Sequence, residues 1–151
     1  MIPEGPARAA DPFRAAARAY LIYGIVYWLG GAWLAWHGVG TRTGGRAAGA
    51  GLAWVLAGLV FVGLVPYLLA GRRRWFERWI LSRRDFARIL AAFMAFRAFK
   101  VGEVALRAET ATAPAPWGGD VTFRAGAAAF LVVTVAALAL VARAAWSREA
   151  A

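Results

Sequence analysis

Three ionisable residues sit where an apolar stretch would exclude them: Arg97, Lys100 and Glu103, within residues 86–106. Spaced three apart, they share one side of a helix, and Lys100 and Glu103 are close enough to pair. Hydrocarbon cannot solvate ions. Charges at membrane depth therefore face a cavity, a substrate path or another subunit. On a helix lying at the surface, the same three residues are simply hydrated. A second set is denser: Arg72, Arg73, Arg74, Arg78, Arg83 and Arg84, interleaved with Trp75, Phe76, Trp79 and Ile80. Arginine beside tryptophan suits the headgroup layer, so this segment reads as a short helix on the membrane surface. There Arg72, Arg73, Arg74, Trp75, Arg78, Trp79, Arg83 and Arg84 contact anionic lipid or an acidic partner, or serve as ordinary cytoplasmic anchors.

Enzymatic chemistry finds little to work with. The chain has no cysteine, which removes thiolate catalysis and sulfur-ligated metals, and its single histidine is His37. One imidazole supplies neither a bis-histidine haem nor a zinc site. No nucleophile stands beside a base. The expectation is no catalytic residue, no metal and no cofactor. Tyr20, Tyr23 and Tyr27 line one helical face, which suits either a quinone, pigment or lipid, or plain packing. The segment 109–120 contains Gly118-Gly119, but Ala113-Pro114-Ala115-Pro116-Trp117 stands where a channel filter needs a glycine-rich strand.

These residues must be positioned by helices in lipid. The 151-residue chain is 62% apolar and carries a formal net charge of +10. Soluble domains run nearer half apolar. The basic residues cluster at the ends of apolar blocks, which points to a membrane surface and not to nucleic acid. Asp11-Pro12 starts the first helix, and residues 19–41 are uncharged. Residues 47–71 form a second uncharged block, in which Gly49, Ala53 and Ala57 make one face smooth, Pro66 sits near the end and Gly71 stops the helix. Ser82 and Asp85 form a capping box before the charged segment. Residues 113–120 read as a loop. A last uncharged block covers 125–142.

Whether the charged segment spans is finely balanced. Its nine Leu, Ile, Phe and Val residues contribute roughly −3 to −5 kcal/mol of insertion energy, and Arg97 opposes this by about +2.5 to +3.5. Ala87, Ala91, Ala95, Ala98 and Gly102 lie opposite the charges, a small face suited to helix packing in lipid. The sequence thus predicts an all-α integral membrane protein of one domain, with a basic interfacial helix and four transmembrane helices at about 19–40, 48–70, 86–106 and 125–142. Three spans result if the charged segment lies on the surface. The inner segments of the four-span arrangement hold Arg8, Arg14, Arg18, the six arginines before Asp85, Arg143 and Arg148; the outer ones hold Arg42, Arg46, Arg107 and Arg124. That asymmetry places the N-terminus in the cytoplasm. Heavy Ala, Gly and Arg usage resembles that of GC-rich bacteria, hence a bacterial inner membrane.

The functional expectation is a non-catalytic accessory, assembly or scaffolding subunit of an inner-membrane complex. Its partners are anionic lipid and either another membrane protein or itself. The alternative is a small oligomeric transporter or channel, with Arg97, Lys100 and Glu103 lining an anion or proton-coupled path.

Overall fold

The computed structural model describes residues 11–36, 47–106 and 112–147, with main chain alone at 34–36, 47–55 and 59. The elements follow in order: α1 (Pro12–Trp36), α2 (Ala47–Ala70), α3 (Arg74–Trp79), α4 (Arg83–Leu106), β1 (Thr112–Pro114), β2 (Asp120–Thr122) and α5 (Phe123–Ala145). The described chain is mostly helical. One of its helices, α5, is long and apolar enough to cross a membrane by length and composition, and only 17% of its apolar window is buried. A core helix of a water-soluble protein would be mostly covered.

Local chemistry sets the helix ends. The Asp11 carboxylate accepts a hydrogen bond from the Phe13 amide at 3.0 Å, the N-cap expected of Asp-Pro. Ser82 accepts from the Asp85 amide at 3.1 Å and donates its hydroxyl to the Asp85 carboxylate at 2.6 Å. The cap therefore forms, although Asp85 engages the Ser82 hydroxyl where a reciprocal box would engage its amide. With Ser82 as cap, α4 begins at Arg83, three residues before the start expected from hydropathy. Helix α2 ends at Ala70, immediately before Gly71, with Pro66 inside it.

Residues 113–120 correct the expectation of an irregular loop and of a purely helical chain. They belong to a β-hairpin in which Thr112 pairs with Thr122, Ala113 with Val121 and Pro114 with Asp120. Pro116 follows the turn's first residue, and the Gly118 amide closes the turn on the Ala115 carbonyl at 3.0 Å. Gly118 and Gly119 take φ of 97° and 77°, the left-handed region that glycine tolerates. Pro114 is tolerated in β1 because a two-stranded ribbon is all edge.

Side chains bridge α4 to α1 at two points. The Arg83 guanidinium lies 3.9 Å from the Phe13 ring centroid, and that of Arg97 lies 4.2 Å from Tyr27's. The second contact falls fourteen residues beyond the first on both α1 and α4, about 21 Å at 1.5 Å per residue. Beyond it, the Trp33 indole donates to the Pro114 carbonyl at 2.7 Å. Helix α4 thus runs in the same direction as α1 and at the same height, the two bridged by side chains while each packs on α5. Helix α2 returns along α1, as contacts between Gly24 and Val62 and between Trp28 and Gly58 require.

Alanine is the commonest residue in the core of this bundle. Ala16, Ala17, Ala87, Ala91, Ala137, Ala144 and Ala145 are buried with Phe13, Tyr20, Tyr23, Leu69, Leu90, Met94 and Val141, and Thr134 of α5 is buried as well. Buried Thr134 donates to the Phe130 carbonyl at 2.7 Å, so its hydroxyl is satisfied within α5. Many large apolar residues are exposed: Ile22 on α1, Val60 on α2, Phe99 on α4 and Val132 on α5 on the outside, and Leu29, Phe61, Phe93 and Phe96 along a cleft between the helices. The small face of α4 is narrower than its sequence suggests. Ala87 and Ala91 are buried with Leu90 and Met94, whereas Ala95 is exposed and Ala98 and Gly102 only half-buried. On α2 the close approach is made by Gly58, while Ala57 is exposed; the side chains around Gly49 and Ala53 lie outside the described residues.

Candidate functional site

Arg97 is the only one of the three charges on α4's C-terminal half that turns toward α1. Its guanidinium stacks on Tyr27 and reaches the Tyr23 hydroxyl. A ring face attracts a cation without demanding a counter-ion, which holds the charge in apolar surroundings. Tyr23 is fixed in turn by Tyr20 at 5.5 Å, Tyr27 at 6.3 Å and Phe130 of α5 at 5.7 Å between centroids. The tyrosine face singled out in the sequence is thus a packed aromatic platform under Arg97. Phe130, which completes it, carried no distinguishing signal within its apolar block.

Lys100 and Glu103 form their own pair at 3.1 Å, with side chains 54% and 39% exposed. The Lys100 ammonium also lies 5.9 Å from the ring centroids of Phe96 and Phe99. The trio is therefore split: one cation on an aromatic platform, and one ion pair at the rim.

Between α1, α2, α4 and α5 lies a cleft of about 1440 Å³. It forms because α2 packs on α1 and α4 packs on α5, which also packs on α1, while α2 and α4 scarcely meet each other. Tyr27, Trp28 and Trp33 line it from α1, Phe61 from α2, Phe93, Phe96, Arg97 and Lys100 from α4, and Phe130 from α5, while hairpin residues 113–117 line one end. Among the described residues, Arg97 and Lys100 are the only charged ones in its lining, and Glu103 does not contribute. Trp28 fits because Gly58 has no side chain; a Cβ there would overlap the indole. Trp33 ties α1 to the hairpin, a contact between residues 81 apart that periodicity does not reveal.

The basic set disperses over several partners. Arg73 stacks on Tyr67 at 4.0 Å, Arg83 on Phe13 at 3.9 Å, and Arg78 lies 5.8 Å from the Trp79 ring centroid. Phe76 is buried, with its ring edge-on to Trp75 and Phe86. Trp75, Trp79 and Arg74 are exposed. Arg72, Arg83, Arg84 and Arg88 surround a polar hollow of about 330 Å³ together with Glu77 and Asp85. The Ser82 hydroxyl, reinforced by Arg88 at 3.0 Å, holds the Asp85 carboxyl below its ordinary range. Among the described residues, no three of His, Cys, Asp and Glu stand together as metal ligands. His37 lies outside the described residues. No protein-family model, curated protein or solved structure matches this chain.

Proposed function

We propose that this chain is a non-catalytic, multi-pass membrane protein that acts as an accessory, assembly or scaffolding subunit of an inner-membrane complex. Helices α1, α2, α4 and α5 cross the bilayer in alternating directions, and both termini face the bacterial cytoplasm. The observation that carries this reading is the alignment of α4 with α1. A charged helix resting on the inner surface would cross α1 near one end, whereas α4 meets α1 at Phe13, again at Tyr27, and continues to a hairpin bound by Trp33. Whatever thickness α1 spans, α4 spans too.

Two features support the lipid setting. An alanine-rich interior with many large apolar residues left exposed suits helices packed in hydrocarbon. The basic α3 region and Trp75, Trp79 and Trp146 sit at one end of the bundle, as an arginine-rich cytoplasmic boundary would. Ile22 of α1, Val60 of α2, Phe99 of α4 and Val132 of α5, exposed outside the cleft, are then available to a membrane partner or a second copy.

A transporter path gains less support, because the three charges do not share one site: Arg97 and Lys100 line the cleft, whereas Glu103 lies outside its lining, and no described carboxylate is left there to relay a proton. The test is purification of the tagged chain from its own membranes in mild detergent. A stoichiometric, different membrane protein is expected. A homo-oligomer that carries solute flux in liposomes would replace this reading with the transporter one.

A further inference from the structure

We propose that the cleft between α1, α2, α4 and α5 is a binding site for an anionic phospholipid of the surrounding bilayer. Its phosphate lies against Arg97 and Lys100, and its acyl chains lie along the aromatic walls. The inference rests on the four-span placement proposed above.

Three properties of the cleft select this occupant. The first is charge. The lining carries two cations and, among the described residues, no carboxylate, inside walls that are otherwise aromatic and aliphatic. Glu103 occupies one donor of Lys100 from outside the cleft, leaving the site with net positive charge. Tyr27 takes the face of the Arg97 guanidinium. A guanidinium donates its N–H groups in its own plane, so a ring on its face is compatible with oxygen acceptors at its edge. Phosphate oxygens suit that edge and the ammonium together.

The second property is size. Sites for drug-sized molecules run to about 300–1,000 Å³. A cleft of about 1440 Å³ is larger, as acyl chains require. A membrane-spanning helix, about 10 Å wide and 30 Å long, needs roughly 2,000 Å³ or more, so a partner's helix does not fit inside. The third property is position. Arg97 lies twelve residues beyond Asp85 on α4, about 18 Å along its axis. Such depth excludes bulk water, and an anion that brings its own apolar chains reaches it without leaving lipid.

The full chain, extracted in mild detergent from membranes containing phosphatidylglycerol and phosphatidylethanolamine, is analysed for retained lipid by mass spectrometry. The ratio of phosphatidylglycerol to phosphatidylethanolamine in the protein fraction should exceed that of the membrane about tenfold. Joint replacement Arg97→Gln and Lys100→Gln should return it to the membrane ratio. Gly126→Phe keeps both cations and fills open space in the cleft wall, and should cause the same loss; it serves also if the double variant fails to fold. Joint replacement Arg14→Gln and Arg18→Gln, exposed near the start of α1 and outside the cleft lining, should leave the ratio high. Unselective retention by the native chain, retention unchanged in Gly126→Phe, or loss only in the Arg14 and Arg18 variant would overturn the site. Resistance of the native chain to alkaline carbonate extraction is scored on the same membranes. A resistant chain without selective lipid contradicts the site alone, whereas an extractable chain contradicts the membrane placement beneath it.

Discussion

The guanidinium of Arg97 on α4 lies 4.2 Å from the ring centroid of Tyr27 on α1, fourteen residues along each helix from the matching contact between Arg83 and Phe13. This pairing lets a charged helix stand beside an apolar one. The ring stabilises a cation that lipid would not, and the repeat of the contact fixes the two helices in parallel.

If that account is right, Arg97 and Tyr27 are energetically coupled. A double-mutant cycle with Arg97→Leu and Tyr27→Leu, read by thermal unfolding in detergent, should give a coupling of about 1–2 kcal/mol. Tyr27→Phe keeps the ring and should retain most of it. Arg97→Leu should also raise the membrane-inserted yield, because it removes an insertion penalty of about 2.5–3.5 kcal/mol. Zero coupling would mean that the contact is incidental.

Gly58 should be irreplaceable. A Cβ at this position overlaps the Trp28 indole, so Gly58→Ala must displace that ring or push α1 and α2 apart. A Cβ at Gly63, on the same helix, would meet nothing within 4 Å, and Gly63→Ala should be neutral or slightly stabilising. Thermal unfolding separates them. Trp28→Ala should restore tolerance of Gly58→Ala, which a general glycine requirement would not predict.

Ala91 and Ala95 should part company. Ala91 is 3% exposed against α5, while Ala95 faces outward. Ala91→Leu overfills the interface and should destabilise by about 1–3 kcal/mol; Ala95→Leu should change little. Equal melting temperatures would contradict the α4–α5 packing.

That separation shows what was legible in the sequence. A four-residue alanine repeat marks a small face, but a helix turns 100° per residue and the contact stripe is only as wide as the neighbour's curvature allows. Which end of the stripe is covered depends on α5, and nothing in residues 86–106 encodes that. The caps at Asp11 and Ser82 were legible because they are local. So was the Lys100–Glu103 pair, set by helix geometry alone. The hairpin was not: two prolines and two glycines argue for a break in the helix, and the strand pairing depends on a register across residues 112–122. The cleft was least legible of all. It arises from the gap between α2 and α4, which are joined in sequence only through α3.

Acid should loosen the start of α4. The Ser82 hydroxyl first, and Arg88 after it, hold the Asp85 carboxyl below its ordinary range. A carboxyl with a depressed folded value contributes stability that is complete above its unfolded value, about 3.9, and is lost as pH falls through the lower folded value. Ser82→Ala should remove part of that acid sensitivity. Thermal unfolding followed from pH 6 to pH 3 checks this, and identical pH profiles for the two proteins would contradict it.

The central claim is that α4 crosses the membrane beside α1, and the absence of any native cysteine makes it directly measurable. Single cysteines are introduced as Trp117→Cys in the hairpin turn and Ser147→Cys after α5, and intact spheroplasts are treated with a membrane-impermeant maleimide. Four spans with a cytoplasmic N-terminus predict that position 117 is labelled from outside and position 147 only after the membrane is opened. Labelling of position 147 in intact spheroplasts, with position 117 protected, would put α4 on the inner surface and contradict the account.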